Sequence, residues 1–274
     1  MGTLYLVATP IGNLEDMSPR AVRILREARL IAAEDTRHTK KLLTHFDIHT
    51  PLTSYFEHNK LTKLDAILRA LGEGDVALVS DAGTPAINDP GYELVRAALE
   101  AGYPVSPVPG PSAPIAALSA SGLPTDAFVY LGYLPRKSTE RRTLLEQARD
   151  LPYTLIFFET PHRLCDSLAD MLAVLGDREM AAARELTKVH EQFVRGAISQ
   201  VAAHFAANPP RGEFVLVVRG RGEECAPKWD EARVLESIHI ALKSGKKAKE
   251  AAAEVAALSG WHKKDVYALA SRVK

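Results

Sequence analysis

Charged and turn-forming residues gather directly after the apolar runs of this 274-residue sequence. The densest case is Ser80-Asp81-Ala82-Gly83-Thr84-Pro85-Ala86-Ile87-Asn88-Asp89-Pro90-Gly91, which follows Val76-Ala77-Leu78-Val79. Its small residues leave main chain bare enough for a ligand to lie against it. A second case, Glu34-Asp35-Thr36-Arg37-His38-Thr39-Lys40-Lys41, reads as an Asp or Thr N-cap followed by a basic first turn. Basic side chains at a helix start oppose the macrodipole, so an external anion would compensate them. Glu159-Thr160-Pro161-His162-Arg163 and Arg184-Glu185-Leu186-Thr187-Lys188-Val189-His190-Glu191 close two more apolar runs. Structural ion pairs account for these last two as readily as a binding site does. Their placement, matching that of the central loop, lets all of them line one cleft.

The elements that would position these loops follow from the apolar pattern. Residues 3–9 are a buried-strand candidate ending in the turn Pro10-Ile11-Gly12-Asn13-Leu14. Ser18-Pro19 opens a helix whose Ala21, Ile24, Leu25 and Ala28 share one face. Short strands follow at 30–33 and 52–55, with a helix at 59–71. Val76–Val79 is apolar at every position, the pattern of a strand covered on both faces. After the central loop, 92–102 reads as a helix with Asp89 as N-cap, Pro90 in the first turn and Gly102 as the left-handed stop. Residues 104–108 lead to Pro109-Gly110-Pro111-Ser112-Ala113-Pro114, where Ser112 can cap a small-residue helix that Gly122 ends. This alternation predicts an α/β domain over 1–122 with a mostly parallel sheet. A second α/β domain of similar rhythm is expected over 123–222, with strands at 128–131, 153–158, 180–183 and 214–218 and the basic run Arg136-Lys137. Residues 223–274 read as a small helical domain, with helices at 247–258 and 263–272 around a Gly260 turn, like a helix-turn-helix.

Composition narrows the classes. The chain is 46% hydrophobic and 25% charged, the profile of a globular protein with a sizeable core. Lys+Arg and Asp+Glu balance at 34 each, so no global field marks a nucleic-acid partner. From Lys228 onward, however, ten bases face six acids, a local +4. Cys165 and Cys225 make no CxxC pair, and neither a disulfide framework nor a metal cluster is indicated. A reducing, cytoplasmic setting is expected, with no secretory signal and no apolar run near the ~20 residues of a membrane span. Neither GxGxxG after the first strand nor GxxxxGK[ST] is present, which argues against dinucleotide dehydrogenases and P-loop enzymes.

The central loop, together with EDTR, the Pro-Gly-x-Ser-Ala pattern, GYLPRK, FFETPHR and ARELTKVHE, resembles the ribosomal branch of the tetrapyrrole methylase superfamily. The resemblance covers residues 3 to about 220, with weaker support beyond. It implies two α/β domains with S-adenosylmethionine in a cleft between them and a small helical C-terminal domain. The activity it implies is methyl transfer to a cytidine 2′-hydroxyl of 16S ribosomal RNA in the small subunit, by a homodimer. Carried over residue by residue, cofactor contacts fall at Pro10, Thr84, Ile87, Ser112, Ala113, Ala183 and Gly212, with Asp81 close by. Thr84 stands where the wider superfamily often has Asp, which suits the ribosomal branch and argues against a tetrapyrrole substrate. RNA phosphate contacts are expected from Arg37, His38, Lys40, Lys41, Arg136, Lys137, Arg163 and Arg184. A ribose hydroxyl needs a proton acceptor, and Asp35, Glu159, Glu185 and Lys188 are the candidates among which the sequence does not choose. A lysine can serve only where burial or neighbouring cations favour its neutral form. Two alternatives remain: a corrin-precursor methylase, and a non-catalytic RNA-binding protein on the same fold.

Overall fold

The computed structural model describes residues 2–221, 229–244, 246–259 and 261–272. The chain divides into two compact units, Met1–Gly220 and Arg221–Lys274. The first contains two five-stranded sheets.

The first sheet holds β1 (Leu4–Val7), β2 (Leu30–Ala33), β3 (Leu52–Ser54), β4 (Val76–Val79) and β5 (Val105–Val108) in the order β3-β2-β4-β1-β5. Every pairing is parallel. Parallel strands need crossover helices, which then cover both faces. On one face α1 (Pro19–Glu27) and α2 (Thr36–His45) bring Ala21, Ile24, Leu25 and Leu43 onto Val7, Ile31 and Val79. On the other, α3 (Lys60–Glu73) and α4 (Tyr92–Glu100) set Ile67, Leu71, Leu94 and Ala98 against Leu4, Ala32 and Leu78. α1 starts as its sequence dictates, with the Ser18 hydroxyl accepting the Ala21 amide at 3.1 Å. The chain leaves β1 through α1 toward β2, and leaves β4 through α4 toward β5, so neighbouring strands send their connections opposite ways. That divergence opens a crevice at their carboxyl ends, the usual ligand position in such sheets.

The start of α4 differs from expectation. Gly91, at φ 155°, is its N-cap, and Asp89 is not. Ala86 and Asn88 also take left-handed backbone, at φ 66° and 62°. The loop therefore turns away before the helix begins, and Asp89 is carried to the crevice instead of the helix end. Ser112 does sit at the N-cap of α5 (Ala113–Ser121), but its side chain makes no capping bond. Gly122 ends that helix in the left-handed region at φ 82°, as its position predicts.

The second sheet has β6 (Phe128–Tyr133), β7 (Thr154–Glu159), β8 (Glu179–Arg184), β9 (Gln192–Ala197) and β10 (Phe214–Val218) in the order β6-β7-β10-β8-β9. Only β6 and β7 run parallel; the other pairs are antiparallel. β9 escaped the sequence reading because QFVRGA has no continuous apolar run; it forms by pairing back on β8. Alternation along β7 and β10 splits the cores. Phe157 and Leu216 face α6 (Ser138–Ala148), α7 (Leu164–Leu175) and α8 (Ile198–Ala207). Ile156, Val215 and Val217 face Ala117 and Leu118 of α5. α5 leaves the first sheet and packs on the second, and so joins the two.

Two buried carboxylates lock the second sheet's helices. Asp170 of α7 meets Arg141 at 2.5 Å, Arg142 at 2.6 Å and the Ser138 hydroxyl at 2.9 Å. Glu159, fully buried at the end of β7, accepts from the Ser167 hydroxyl at 2.5 Å and the Thr160 amide at 2.7 Å. Arg163 closes on it at 2.7 Å and also donates to the Leu134 carbonyl at 3.0 Å.

In the second unit α9 (Glu231–Lys243), α10 (Ala248–Ser259) and α11 (Lys263–Arg272) share a core of Val234, Ile238, Ala252, Val255, Val266 and Ala270. The sequence reading had α10 and α11 but not α9, whose Asp230 cap accepts the Arg233 amide at 2.8 Å. Gly222, the Gly260 turn, Cys225, and the bases Lys228 and Lys274 lie outside the described residues. No described helix is long and apolar enough to cross a membrane.

Two substitutions test this architecture by urea unfolding. A Cβ on Gly91 would approach the Ala86 Cβ to 2.8 Å, so Gly91→Ala should cost about 1–3 kcal/mol; an unchanged midpoint would show that the loop bends freely. Arg163→Ala strands the fully buried Glu159 charge and should cost about 3–5 kcal/mol. A loss no larger than that of an exposed-arginine control would mean that Glu159 is not held by this pair.

Candidate functional site

The crevice between the two sheets is a cleft of about 250 Å³. The end of β1 supplies Ile11, the end of β2 supplies Glu34, and the loop after β4 supplies Asp81 to Thr84 and Ile87 to Asp89. The start of α5 adds Ser112 and Ala113, while the second sheet adds Tyr133, Phe158, Glu185, Lys188 and Glu213. Apolar floor and charged rim are thus built from strand ends, which are rigid supports.

Main-chain and hydroxyl bonds fasten the loops to one another. Thr9 and Gly83 exchange amide–carbonyl bonds at 2.9 and 3.0 Å, and the Thr9 hydroxyl donates to the Ser80 carbonyl at 3.1 Å. The Thr84 hydroxyl donates to the Pro111 carbonyl at 3.1 Å, tying the β4 loop to the β5 loop. The Asp81 carboxylate accepts the Asp35 amide at 3.1 Å, and Glu34 accepts the Asp81 amide at 3.3 Å. Across the cleft the Lys188 stem lies against Gly12, where a Cβ would come within 2.4 Å of it. Gly132 of β6, at φ 67°, receives the Asn88 side chain in the same way, with 2.6 Å to a would-be Cβ.

Charge states diverge within this small space. Burial, with the Asp81 and Asp35 charges adding to it, pushes the Glu34 carboxyl up. Asp89 is pushed up to about 6, by burial first and the Glu34 charge second. Glu185 is held low by its bond to Lys188 at 2.9 Å. Asp35 is held far below the usual carboxylate range because Arg37 grips it with two side-chain bonds and one from its amide. Burial raises Tyr130 and Tyr133 of β6, and the Asp89 charge contributes to both.

Of the residues singled out for a cofactor, the cleft brings together Asp81, Thr84, Ile87, Ser112 and Ala113. Pro10 follows the Thr9 bridge and does not line the cavity, and Ala183 is fully buried inside β8. Gly212, at φ 76°, backs onto the Glu185 side chain. Of the four proton-acceptor candidates, Glu185 and Lys188 line the cleft, paired to each other. Glu159 sits in its buried cluster with Arg163, and Asp35 caps α2. Arg37, His38, Lys40 and Lys41 are exposed along the first turns of α2. Arg136 and Lys137 are exposed before α6, the latter paired with Glu140 at 2.9 Å. Arg184 is half-buried, with a buried Nε that has no hydrogen-bond partner. The reading missed Glu34, Asn88, Asp89, Tyr133, Phe158 and Glu213 as lining residues. Glu34, Asn88 and Asp89 lay inside segments already quoted; capping chemistry and turn formation explained them equally well.

The comparisons with known proteins agree with this architecture. The family described as tetrapyrrole (corrin/porphyrin) methylases matches residues 3–202. Proteins called ribosomal RNA small subunit methyltransferase I are similar over nearly the whole chain. The one from Halalkalibacterium halodurans is 51% identical, covering 97% of this chain and 93% of its own length. That from Synechocystis is 47% identical over 98% and 97%, and that from Escherichia coli O157:H7 48% over 97% and 93%. Among solved structures, a diphthine synthase matches with a TM-score of 0.63 at 15% identity, covering 80% of this chain and 90% of its own. The uroporphyrin-III C-methyltransferase of Thermus thermophilus, complexed with S-adenosyl homocysteine, matches at 0.53 and 21%, covering 81% and 98%. These last two show the fold alone. Matched across most of its length by one family model and at about half its positions by full-length relatives, the chain belongs to the tetrapyrrole methylase family and, within it, to the ribosomal RNA small subunit methyltransferase I group.

Proposed function

We propose that this chain transfers a methyl group from S-adenosylmethionine to the ribose 2′-hydroxyl of a cytidine in 16S ribosomal RNA. The observation that carries the reading is 44–51% identity, over almost the full chain, to proteins named for methylation of small-subunit ribosomal RNA. Its setting is the cytoplasm, its substrate the small subunit or its RNA, and its working form a homodimer. The division into an N-terminal domain over 1–122, a second over 123–222 and a helical domain from 223 belongs to the same proposal.

The cleft suits this cofactor in size and in charge. Glu34, Asp81, Asp89, Glu185 and Glu213 line it against the single cation Lys188 among the described lining residues. A sulfonium with an amino group is favoured by such a field. Asp81, Thr84, Ile87, Ser112 and Ala113 would hold the cofactor. Gly83, at φ 82°, keeps main chain bare beside them. Thr84 contributes through its backbone and position, because its hydroxyl already bonds Pro111. Once bound, the cofactor supplies a methyl group on sulfur that is open to in-line displacement. The chain's share is alignment and exclusion of water. Tyr133 and Phe158, with ring centroids 5.2 Å apart, give the far wall an aromatic face on which a nucleobase can stack. The exposed Arg37, His38, Lys40 and Lys41 are suited to backbone phosphates, and the net-positive C-terminal unit to further ones.

Tritium from methyl-labelled S-adenosylmethionine should appear on a cytidine ribose of undermethylated small subunits. Label on a corrin precursor alone would overturn the RNA reading and leave the fold untouched. Deleting the residues after Arg221 should leave cofactor affinity within about twofold. It should lower RNA methylation at least tenfold at low salt, where each lost phosphate contact costs most, and flatten its salt dependence. Equal RNA activity in the shortened protein would remove the C-terminal unit from substrate binding.

A further inference from the structure

Resting on the methyl-transfer reading above, we propose that Asp89 is the catalytic residue that accepts the proton of the substrate hydroxyl. None of the four acceptors suggested by sequence is placed for that task. Asp35 and Glu159 do not line the cleft; each is engaged by an arginine, Arg37 and Arg163. Glu185 and Lys188 do line it, but they neutralise each other at 2.9 Å.

The remaining carboxylates of the cleft are Glu34, Asp81, Asp89 and Glu213. Glu34 and Asp81 are tethered by backbone amides, those of Asp81 and Asp35 respectively. Glu213 is exposed at the rim. Asp89 is half-buried near the end of the loop between β4 and α4, next to Asn88, whose side chain reaches Gly132 of the second sheet. Its backbone is fixed on both sides. Asn88 is left-handed and seated on Gly132 of β6, and Gly91 is wedged against Ala86 and Leu78. The groups that act on its carboxylate are the Ser80 hydroxyl and the Glu34 and Asp81 charges from the first sheet, and its own charge in turn raises Tyr130 and Tyr133 of β6. No cation is among them. Crowded by like charge and partly desolvated, it binds a proton near pH 6 rather than near 4. A base poised just below neutral pH is ionised at work and still able to take a proton in the transition state.

The step balances without a co-reactant. The hydroxyl proton passes to an Asp89 carboxylate oxygen as the oxygen–carbon bond forms. The carbon–sulfur bond breaks with its electron pair going to sulfur, leaving a neutral thioether. The Asp89 proton returns to water after the product leaves.

The experiment compares wild type with Asp89→Asn in the full chain, under single turnover from pH 5 to 9, with small subunits as substrate. Wild-type rate should rise with unit slope and level off above about pH 6. Asp89→Asn should bind S-adenosyl homocysteine as before, lose at least a hundredfold in rate, and show no such limb. Glu34→Gln should move the limb to lower pH.

A second readout needs no turnover. A carboxyl whose folded pKa is raised makes the native state bind more protons than the unfolded one between about pH 4 and 6, so stability falls as pH rises through that window. Asp89→Asn should therefore unfold at higher urea than wild type at pH 8, with the advantage gone near pH 4. The proposal is overturned by a wild-type-like rate in Asp89→Asn, by a low-pH limb that survives in it, or by a stability difference independent of pH. A large rate loss in Glu34→Gln with none in Asp89→Asn would transfer the role to Glu34. Wild type that labels no RNA at all would instead defeat the methyl-transfer reading on which this one rests.

Discussion

Everything at the cleft depends on how two adjacent parallel strands are held together after their paths diverge. β1 and β4 pair along Leu4–Leu6 and Val76–Leu78 and then send their chains to opposite faces of the sheet. Beyond the last ladder rung, Thr9 and Gly83 still bond each other in both directions. Without that clasp the backbone groups of both loops would face the crevice unpaired, which is costly where water is thin. Gly83 can make the bond because its φ of 82° is open to a residue with no Cβ. Further along, Ala86 and Asn88 occupy the same region of backbone space without glycine's freedom. Such residues cost on the order of 1–3 kcal/mol each and persist only where their surroundings over-determine them. Here the surroundings are a fully buried β4 on one side and α4 on the other.

The strain has a purpose in electrostatics. Carboxylates from four separate strand ends are brought into one cleft, and burial together with mutual repulsion raises two of them, Glu34 and Asp89. Such an arrangement works against folding, since each of these groups would ionise more easily in the unfolded chain. The molecule treats other acids differently. Asp170 and Glu159 are more deeply buried, yet each is matched to arginine and hydroxyl donors. Acids that hold helices together are paired with arginine, whereas Glu34 and Asp89 in the cleft are left with little more than an amide or a hydroxyl. A cationic ligand would relieve that field, and in doing so would bind where the protein is least satisfied.

Much of the first sheet was legible because several levels of the sequence agree. Apolar strands, the Ser18-Pro19 start of α1 and the Gly122 stop of α5 each point to one structure, and each forms as read. The same reading went astray where one residue type has two physical uses. Asp and Ser before a helix are ordinarily caps, and so Asp89 and Ser112 were given that task. In the folded chain Gly91 takes the cap of α4, and the Ser112 side chain caps nothing. Both residues line the cleft, Ser112 where the resemblance also puts a cofactor contact. Arginine poses the opposite problem. Exposed cations and a buried strut look alike in a sequence, and only burial separates Arg37, with 89% of its side chain exposed, from Arg163, with 21%.

The second sheet explains why the rule for parallel sheets found only part of the site. That rule looks for function after a strand, and it located the segments following β7 and β8. β10 runs against both neighbours, with Phe214 opposite Glu159 on one side and Arg184 on the other. The start of β10 therefore lies level with the ends of β7 and β8, and residues that precede a strand arrive at the same rim as residues that follow one. Gly212 and Glu213 reach the cleft wall by this route: the Glu213 carbonyl accepts the Glu185 amide, and Gly212 makes room for the Glu185 side chain. A mixed sheet draws its functional edge from both kinds of loop, and strand direction, which short apolar runs do not encode, decides which loops those are.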